Sequence, residues 1–337
     1  MKYREHQKEG DLFSFIEHRE KVSSKRLGIN KLSGVIEWEA FRDVLEEKLG
    51  YSRRDMSNGG RPPFDPVFML KVLVLQKYHG LSDLATEEQI SDRLSFMQFL
   101  DLEAGDDVPD ANTIWDFKET LGAEGVEQIF EQFAKLLDEH GIIGREGSIV
   151  DASFVDVPRQ RNSRLENEEL KRGVCPEGFE KDAVKGRQKD CEARWAVKNK
   201  EIHFGYKNHA KVDAKSKLIL KYQATAASVH DSQVVEKAVL GDAAYRSEKI
   251  EKYLLEQCDC EDFIHAKAQR DAPLSSEEKA TNRLLSRVRC RVEHVFGRLA
   301  QFGADVMRTI GQERAEFQIG LSNIVYNMDR YAYLMKK

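Results

Sequence analysis

Apolar side chains recur at two different spacings along this chain, and the change from one to the other divides it. Up to about residue 143 the spacing is helical. Val67 to Tyr78 is almost continuously apolar, which predicts a buried helix opened by Pro66 and stopped at Gly80. Between Glu87 and Leu100, the residues Ile90, Leu94, Met97 and Leu100 fall three or four apart and make one apolar face. Pro109-Asp-Ala-Asn-Thr-Ile-Trp115 caps a third helix that runs into Phe117 and Leu121, and 126–140 forms a fourth. The first forty or so residues are polar with one weakly amphipathic stretch. The expectation is a loosely docked N-terminal arm over 1–45, then an all-helical domain over 46–143.

At Gly144 the period shortens. Ser148 to Val157 is rich in β-branched residues and ends at Pro158, which predicts a strand. A charged stretch from Arg159 to Lys200 follows with little apolar periodicity and reads as a long insertion or mobile loop. Ile202 to Val212 and Leu218 to Ala226 are two further strands, joined as a hairpin by a turn at 213–217. Short helices at 231–237 and 247–257 then alternate with strands at 238–240 and 259–264, and two long helices, 277–302 and 312–335, complete the chain. This order predicts an α/β class, a mixed sheet with flanking helices over 144–337, preceded by the helical domain.

Composition narrows the picture little. Of the 337 residues 41% are hydrophobic and 33% charged, as in ordinary globular proteins, and no apolar run approaches the roughly 20 residues that span a bilayer. The start lacks the apolar core of a secretory signal, so a cytoplasmic location is expected, with no membrane contact. Five scattered cysteines without a Cys-x-x-Cys pair read as reduced thiols. The net charge of -5 hides a segregation: basic residues crowd into 159–221 and 283–298, whereas 87–139 is largely acidic.

The candidate chemistry lies in three carboxylates. Asp151 interrupts the apolar run Ile149-Val-Asp-Ala-Ser-Phe154, where strands rarely carry Asp. A buried carboxylate is costly unless something positive meets it, and a divalent cation is the simplest such partner. Asp156 is a rival, but its odd separation from Asp151 points it to the other face of the strand. Asp242, after Gly241, is either a metal ligand at a strand end or an N-cap. Glu293 is either an exposed helix residue paired with Arg289 or a ligand at the edge of the stripe Leu285, Val288, Val292, Val295 and Leu299, with Gly297 leaving open space one turn on. Magnesium takes oxygen ligands and only a few carboxylates, so the three together point to metal-dependent cutting and joining of nucleic acid. Arg289 either orients Glu293 or grips a phosphate. Arg159, Arg161, Arg287, Arg291 and Arg298 suit contacts to a DNA backbone. Lys207, His209 and Lys211 alternate along one strand face and either aim cations at DNA or form a solvated face. Trp195 either stacks on a base or packs, and His230 either adjoins the metal site or caps a helix.

Several ordered motifs then carry a resemblance. Gly60-Arg-Pro-Pro-Phe-Asp-Pro66, Gly80-Leu-Ser-Asp83, Asp92-Arg-Leu-Ser-Phe-Met97 and Pro109-Asp-Ala-Asn-Thr-Ile-Trp115 lie in the helical block. Val150-Asp-Ala-Ser153, Phe204-Gly-Tyr-Lys-Asn-His209, Val229-His-Asp-Ser-Gln-Val234, Asp242-Ala-Ala-Tyr-Arg-Ser247 and Arg289-Cys-Arg-Val-Glu-His-Val-Phe-Gly297 lie beyond it. In these the chain resembles the DDE transposases of bacterial insertion sequences, specifically the insertion sequence 5 family. The resemblance implies an RNase H-like catalytic fold, Mg²⁺ or Mn²⁺, and cleavage of terminal inverted repeats with joining of the freed 3′-OH ends to target DNA. It implies Asp151, Asp242 and Glu293 as the triad and Arg289 as the signature arginine. It further implies that the helical domain binds double-stranded DNA ends, that a homodimer or higher multimer assembles on them, and that the protein associates with the nucleoid. Three departures stand: Ser286 replaces a tyrosine, Ala300 replaces a lysine, and the ten residues between Asp231 and Asp242 are fewer than the family usually has. They keep two alternatives open, a catalytically impaired repeat-binding protein and an RNase H-like nuclease without strand transfer.

Overall fold

The computed structural model describes residues 13–24, 28–51, 62–103, 105–144, 147–181, 183–198, 200–231, 240–241, 263–264, 275 and 290–336. Helices α1 (Ser14–Ser24), α2 (Arg42–Leu49), α3 (Pro66–His79), α4 (Asp83–Asp92), α5 (Leu94–Leu100) and α6 (Ala111–Glu139) make up the N-terminal part. The start and stop of α3 follow local chemistry. Asp65 accepts from the Val67 and Phe68 amides, Pro66 occupies the first turn where no donor is needed, and Gly80 closes the helix at φ 62°. The stretch expected as one helix over 87–100 is broken at Arg93, whose extended backbone separates α4 from α5. Conversely, the third and fourth expected helices are merged in α6, kinked at Gly122 with φ 61° and ψ 179°.

Among the described residues six strands form the sheet: β1 (Ser148–Asp156), β2 (Arg194–Lys198), β3 (Glu201–Asp213), β4 (Ile219–Ala226), β5 (Leu240–Gly241) and β6 (Phe263–Ile264). Their order is β2-β3-β1-β5-β6, with β4 also paired to β3. β1, β3 and β4 are antiparallel neighbours, and β5 and β6 run parallel to β1. The long β3 is shared along its far edge, by β2 over residues 201–205 and by β4 over 206–212. Where β1, β2 and β3 meet, Gly205 at φ 151° leaves room for the Val155 carbonyl, which lies 2.3 Å from where a Cβ would stand.

The charged stretch 159–200 departs from the expected loop. It contains α7 (Arg164–Lys171), α8 (Glu177–Lys181), α9 (Ala183–Gly186) and β2. Ser163 and Glu166 form a capping box at the start of α7, a local signal independent of apolar periodicity. The segment folds back through Gln160, whose side chain bonds both backbone groups of Asp190. That return brings Cys175 and Cys191 to a Cα separation of 5.4 Å, and the two are joined as a disulfide, correcting the reading of all five as reduced thiols. Asp190 itself is buried and accepts from Tyr206 Oη and from the amides of Glu192, Ala193 and Gly311, so the insertion is tied to β3 and to the last helix.

Two helices close the chain, α10 across 290–301 and α11 (Gln312–Leu334). One apolar core runs from Ile29, Leu32 and Phe41 through α3 and α6 to Ile149, Ala210 and Val212 of the sheet, and on to Val295 and Leu299 of α10 and Leu321, Ile324 and Met328 of α11. Residues 28–45, expected in a loose arm, thus contribute buried side chains. α11 grips the sheet by amides: Asn323 pairs reciprocally with Asn208, and Asn327 bonds both backbone groups of Ile219. Among the described residues no helix is long and apolar enough to cross a membrane.

Candidate functional site

Asp151 sits mid-strand in β1, 7% exposed, opposite Ala210 of β3. Directly opposed residues share a sheet face, so Asp151 lies on the face of Ala210, Asn208 and Tyr206, the one packed by α11 through Asn208. Its Oδ1 accepts from the Ala152 amide at 2.9 Å. The rival Asp156 falls on the other face. It is taken up by His203, whose Nδ1 lies 3.2 Å from both its oxygens and whose ring stacks on Phe154 with centroids 4.0 Å apart.

On its other edge β1 meets β5. Ile149 pairs with Leu240 and Val150 with Gly241, so the residues that precede Asp151 and Asp242 are register partners on adjacent parallel strands. Asp242 lies outside the described residues, as do Arg287 and Arg289, residues 232–237 of the short helix expected at 231–237, and the helix expected at 247–257.

Glu293 is exposed on α10. The expected apolar stripe is present in its described part, with Val292, Val295 and Leu299 buried, and a Cβ at Gly297 would meet nothing within 4 Å. Among the described residues nothing fills the space at Gly297, one turn on from the carboxylate. Near the turn after β3, Arg291 of α10 donates to the Ala214 carbonyl at 2.6 Å, and the chain beyond α10 returns to β1, where the Met307 amide donates to the Asp156 carbonyl and the Asp156 amide to the Asp305 carbonyl. Among the described residues no three His, Cys, Asp or Glu side chains gather as a metal cage.

The basic residues separate into two groups. Arg159 and Arg161 are exposed; Arg159 bonds the Ile202 carbonyl and lies over the Trp195 ring. Lys207, His209 and Lys211 form a strip as the alternation predicts, but opposite Phe154, Ala152 and Val150, on the sheet face away from Asp151. There Lys207 is buried and bonds Asp231 Oδ1 at 2.8 Å and the Val229 carbonyl at 2.7 Å. His209 is buried, and its Nε2 lies 2.9 Å from Thr225 Oγ1. Desolvation lowers the His209 pKa to about 4, which the Asp231 charge only partly offsets. Strand positions 207 and 209 are thus interior, which a period of two cannot reveal. Arg298, expected at a DNA backbone, is instead forked onto Asp329 of α11. Sequence reading passed over Asp329; the signal was a carboxylate within the mostly apolar run from Ile324 to Tyr331.

Comparison with known families gives two matches. A family model described as Transposase DDE domain matches residues 143–328, more than half of the chain, and one described as Transposase domain (DUF772) matches residues 17–120. No solved structure matches the chain.

Proposed function

The chain belongs to the DDE transposases, and from that premise we propose that it binds the terminal inverted repeats of an insertion sequence, cleaves there, and joins the ends to target DNA. The observation that carries this reading is the β1–β5 register, which pairs Val150 with Gly241, the residues that precede Asp151 and Asp242 in the sequence. Glu293 would complete the set from α10, whose apolar stripe holds it against the same core as Ile149 and Ala210. An antiparallel β1, β3, β4 followed by two strands parallel to β1 supports an RNase H-like sheet.

Three carboxylates are oxygen donors of the kind Mg²⁺ and Mn²⁺ take, and a buried mid-strand Asp151 gains most from a cation. Bound there, a divalent cation would supply charge neutralisation at the phosphate and activation of the attacking oxygen. In this reading Arg289 orients Glu293 or holds a phosphate, and Arg159, Arg161, Arg287 and Arg291 contact the DNA backbone. Lys207, His209 and Lys211 are left out, because they lie on the opposite face, and Arg298 because Asp329 engages it. The helical block binds the repeat, and two copies or more pair the ends.

Incubating the protein with DNA carrying its flanking ends tests this. With Mg²⁺, wild type is expected to release 3′-OH ends and to form strand-transfer products, and Asp151→Asn, Asp242→Asn and Glu293→Gln each to fall to the metal-free background. Wild-type rates in all three variants would end the proposal. A second reading, a repeat-binding protein without catalysis, draws support from the ten residues that separate Asp231 from Asp242 in the sequence and from Ser286 and Ala300. Specific binding without Mg²⁺-dependent cleavage favours it, and nicking without joints favours a nuclease.

A further inference from the structure

Arg298 and Asp329 join the helix that carries Glu293 to the helix that grips the sheet. Arg298 Nε and Nη2 reach the two Asp329 oxygens at 3.1 and 3.2 Å, Nη2 also reaches Tyr78 Oη at 3.3 Å, and Nη1 reaches Gln301 Oε1 at 2.6 Å. The guanidinium carbon lies 4.4 Å from the Phe302 ring centroid and 5.7 Å from that of Tyr78. Asp329 is 8% exposed and is also paired with Lys31. A fork held on two carboxylate oxygens and between two rings has little freedom to rotate.

Geometry gives that rigidity a consequence. Arg298 follows Glu293 by five residues, which places it about 140° around the helix axis and roughly 7 Å along it. Fixing Arg298 therefore fixes the rotation of α10 and with it the direction Glu293 faces. On α11, Asn323 and Asn327 bond the sheet, and Asp329 lies about 200° round from Asn327 toward α10. An unbroken path of directional bonds and register thus runs from the strand of Asp151 through Asn208, Asn323 and Asp329 to Arg298.

We propose that the Arg298–Asp329 pair is a positioning device for Glu293, with α11 as the spacer that holds α10 in fixed rotation against the strand bearing Asp151. It rests on the reading of Glu293 as a metal ligand. Groups that orient ligands in this way typically change metal affinity by tenfold or more when altered.

The test is Mn²⁺ binding to the full-length protein without DNA, followed by the electron paramagnetic resonance of free Mn²⁺, alongside thermal unfolding. Arg298→Lys and Asp329→Asn are expected to bind Mn²⁺ about tenfold more weakly. Tyr78→Phe, which deletes a single hydroxyl and keeps the ring, is expected to shift affinity in the same direction and serves where the harsher variants fail to fold. Arg314→Lys, which weakens the fork from α11 to Glu119 of α6, is expected to leave Mn²⁺ affinity within twofold. Unchanged affinity in Arg298→Lys, Asp329→Asn and Tyr78→Phe while Glu293→Gln binds weakly overturns the positioning role alone. Equal weakening in Arg314→Lys reduces it to general stability. Unchanged affinity in Glu293→Gln removes the site reading itself, and the positioning role with it.

Discussion

His209 is neutral in the folded protein for reasons that sit around one ring. Thr225 Oγ1 gives its own proton toward the Ala226 carbonyl at 3.3 Å, so it accepts from Nε2–H, and Nδ1 is left buried without a partner. Protonation would put a charge there, beside Lys207, in a site already desolvated. The unfolded chain takes up that proton near pH 6.5 and the folded chain only near pH 4. Stability from this group is therefore complete above pH 6.5 and is lost as pH falls through that window, by about 3 kcal/mol at most. Denaturant melts from pH 7 to 4 check this: His209→Gln should flatten the slope, and equal slopes would contradict it. Asp151 shows the other side of residue-scale reading. An Asp amid Ile149, Val150 and Phe154 was legible as an anomaly, whereas the interior setting of Lys207 was not, because nothing in a strand's alternation says which face another element covers.

At the scale of elements, legibility followed the locality of the cause. α3 is written into Asp65, Pro66 and Gly80, since capping bonds span only a few residues. Asp65→Ala is expected to cost about 1 kcal/mol, read as a lower denaturation midpoint at unchanged slope. A loss twice that would trace to the Arg42 ion pair that Asp65 also holds at 2.8 Å. Gly205 belongs to the other class. Its need arises from the Val155 carbonyl, fifty residues away in the chain, and no local turn signal announces it. Gly205→Ala should destabilise by about 1–3 kcal/mol, and a neutral effect in the same melts would mean that β1 and β3 can part there without cost. The 159–200 stretch hid β2 for a similar reason: five residues with three exposed side chains have little pattern of their own and form a strand only because β3 extends past β1 to receive them.

Across the whole molecule, the helical part and the sheet share one apolar core, with Phe130 of α6 against Tyr222 of β4 and α11 packed against both elements. Calorimetry of the full chain is expected to give one cooperative transition near neutral pH, and two well-separated transitions would contradict the shared core. That continuity also decides the candidate site, since α10 and α11 come from the far end of the chain.

By itself the sequence determined the class of the sheet, the termini of α3, the stripe on α10 and the odd carboxylate in β1, because each depends on contacts within a few residues. Only the tertiary structure decided that Val150 and Gly241 are neighbours, that Lys207 and His209 face away from Asp151, that Cys175 meets Cys191, and that Arg298 holds Asp329. Those relations join residues 16 to 91 positions apart, and their free energy comes from burial and pairing that exist only once the core has closed.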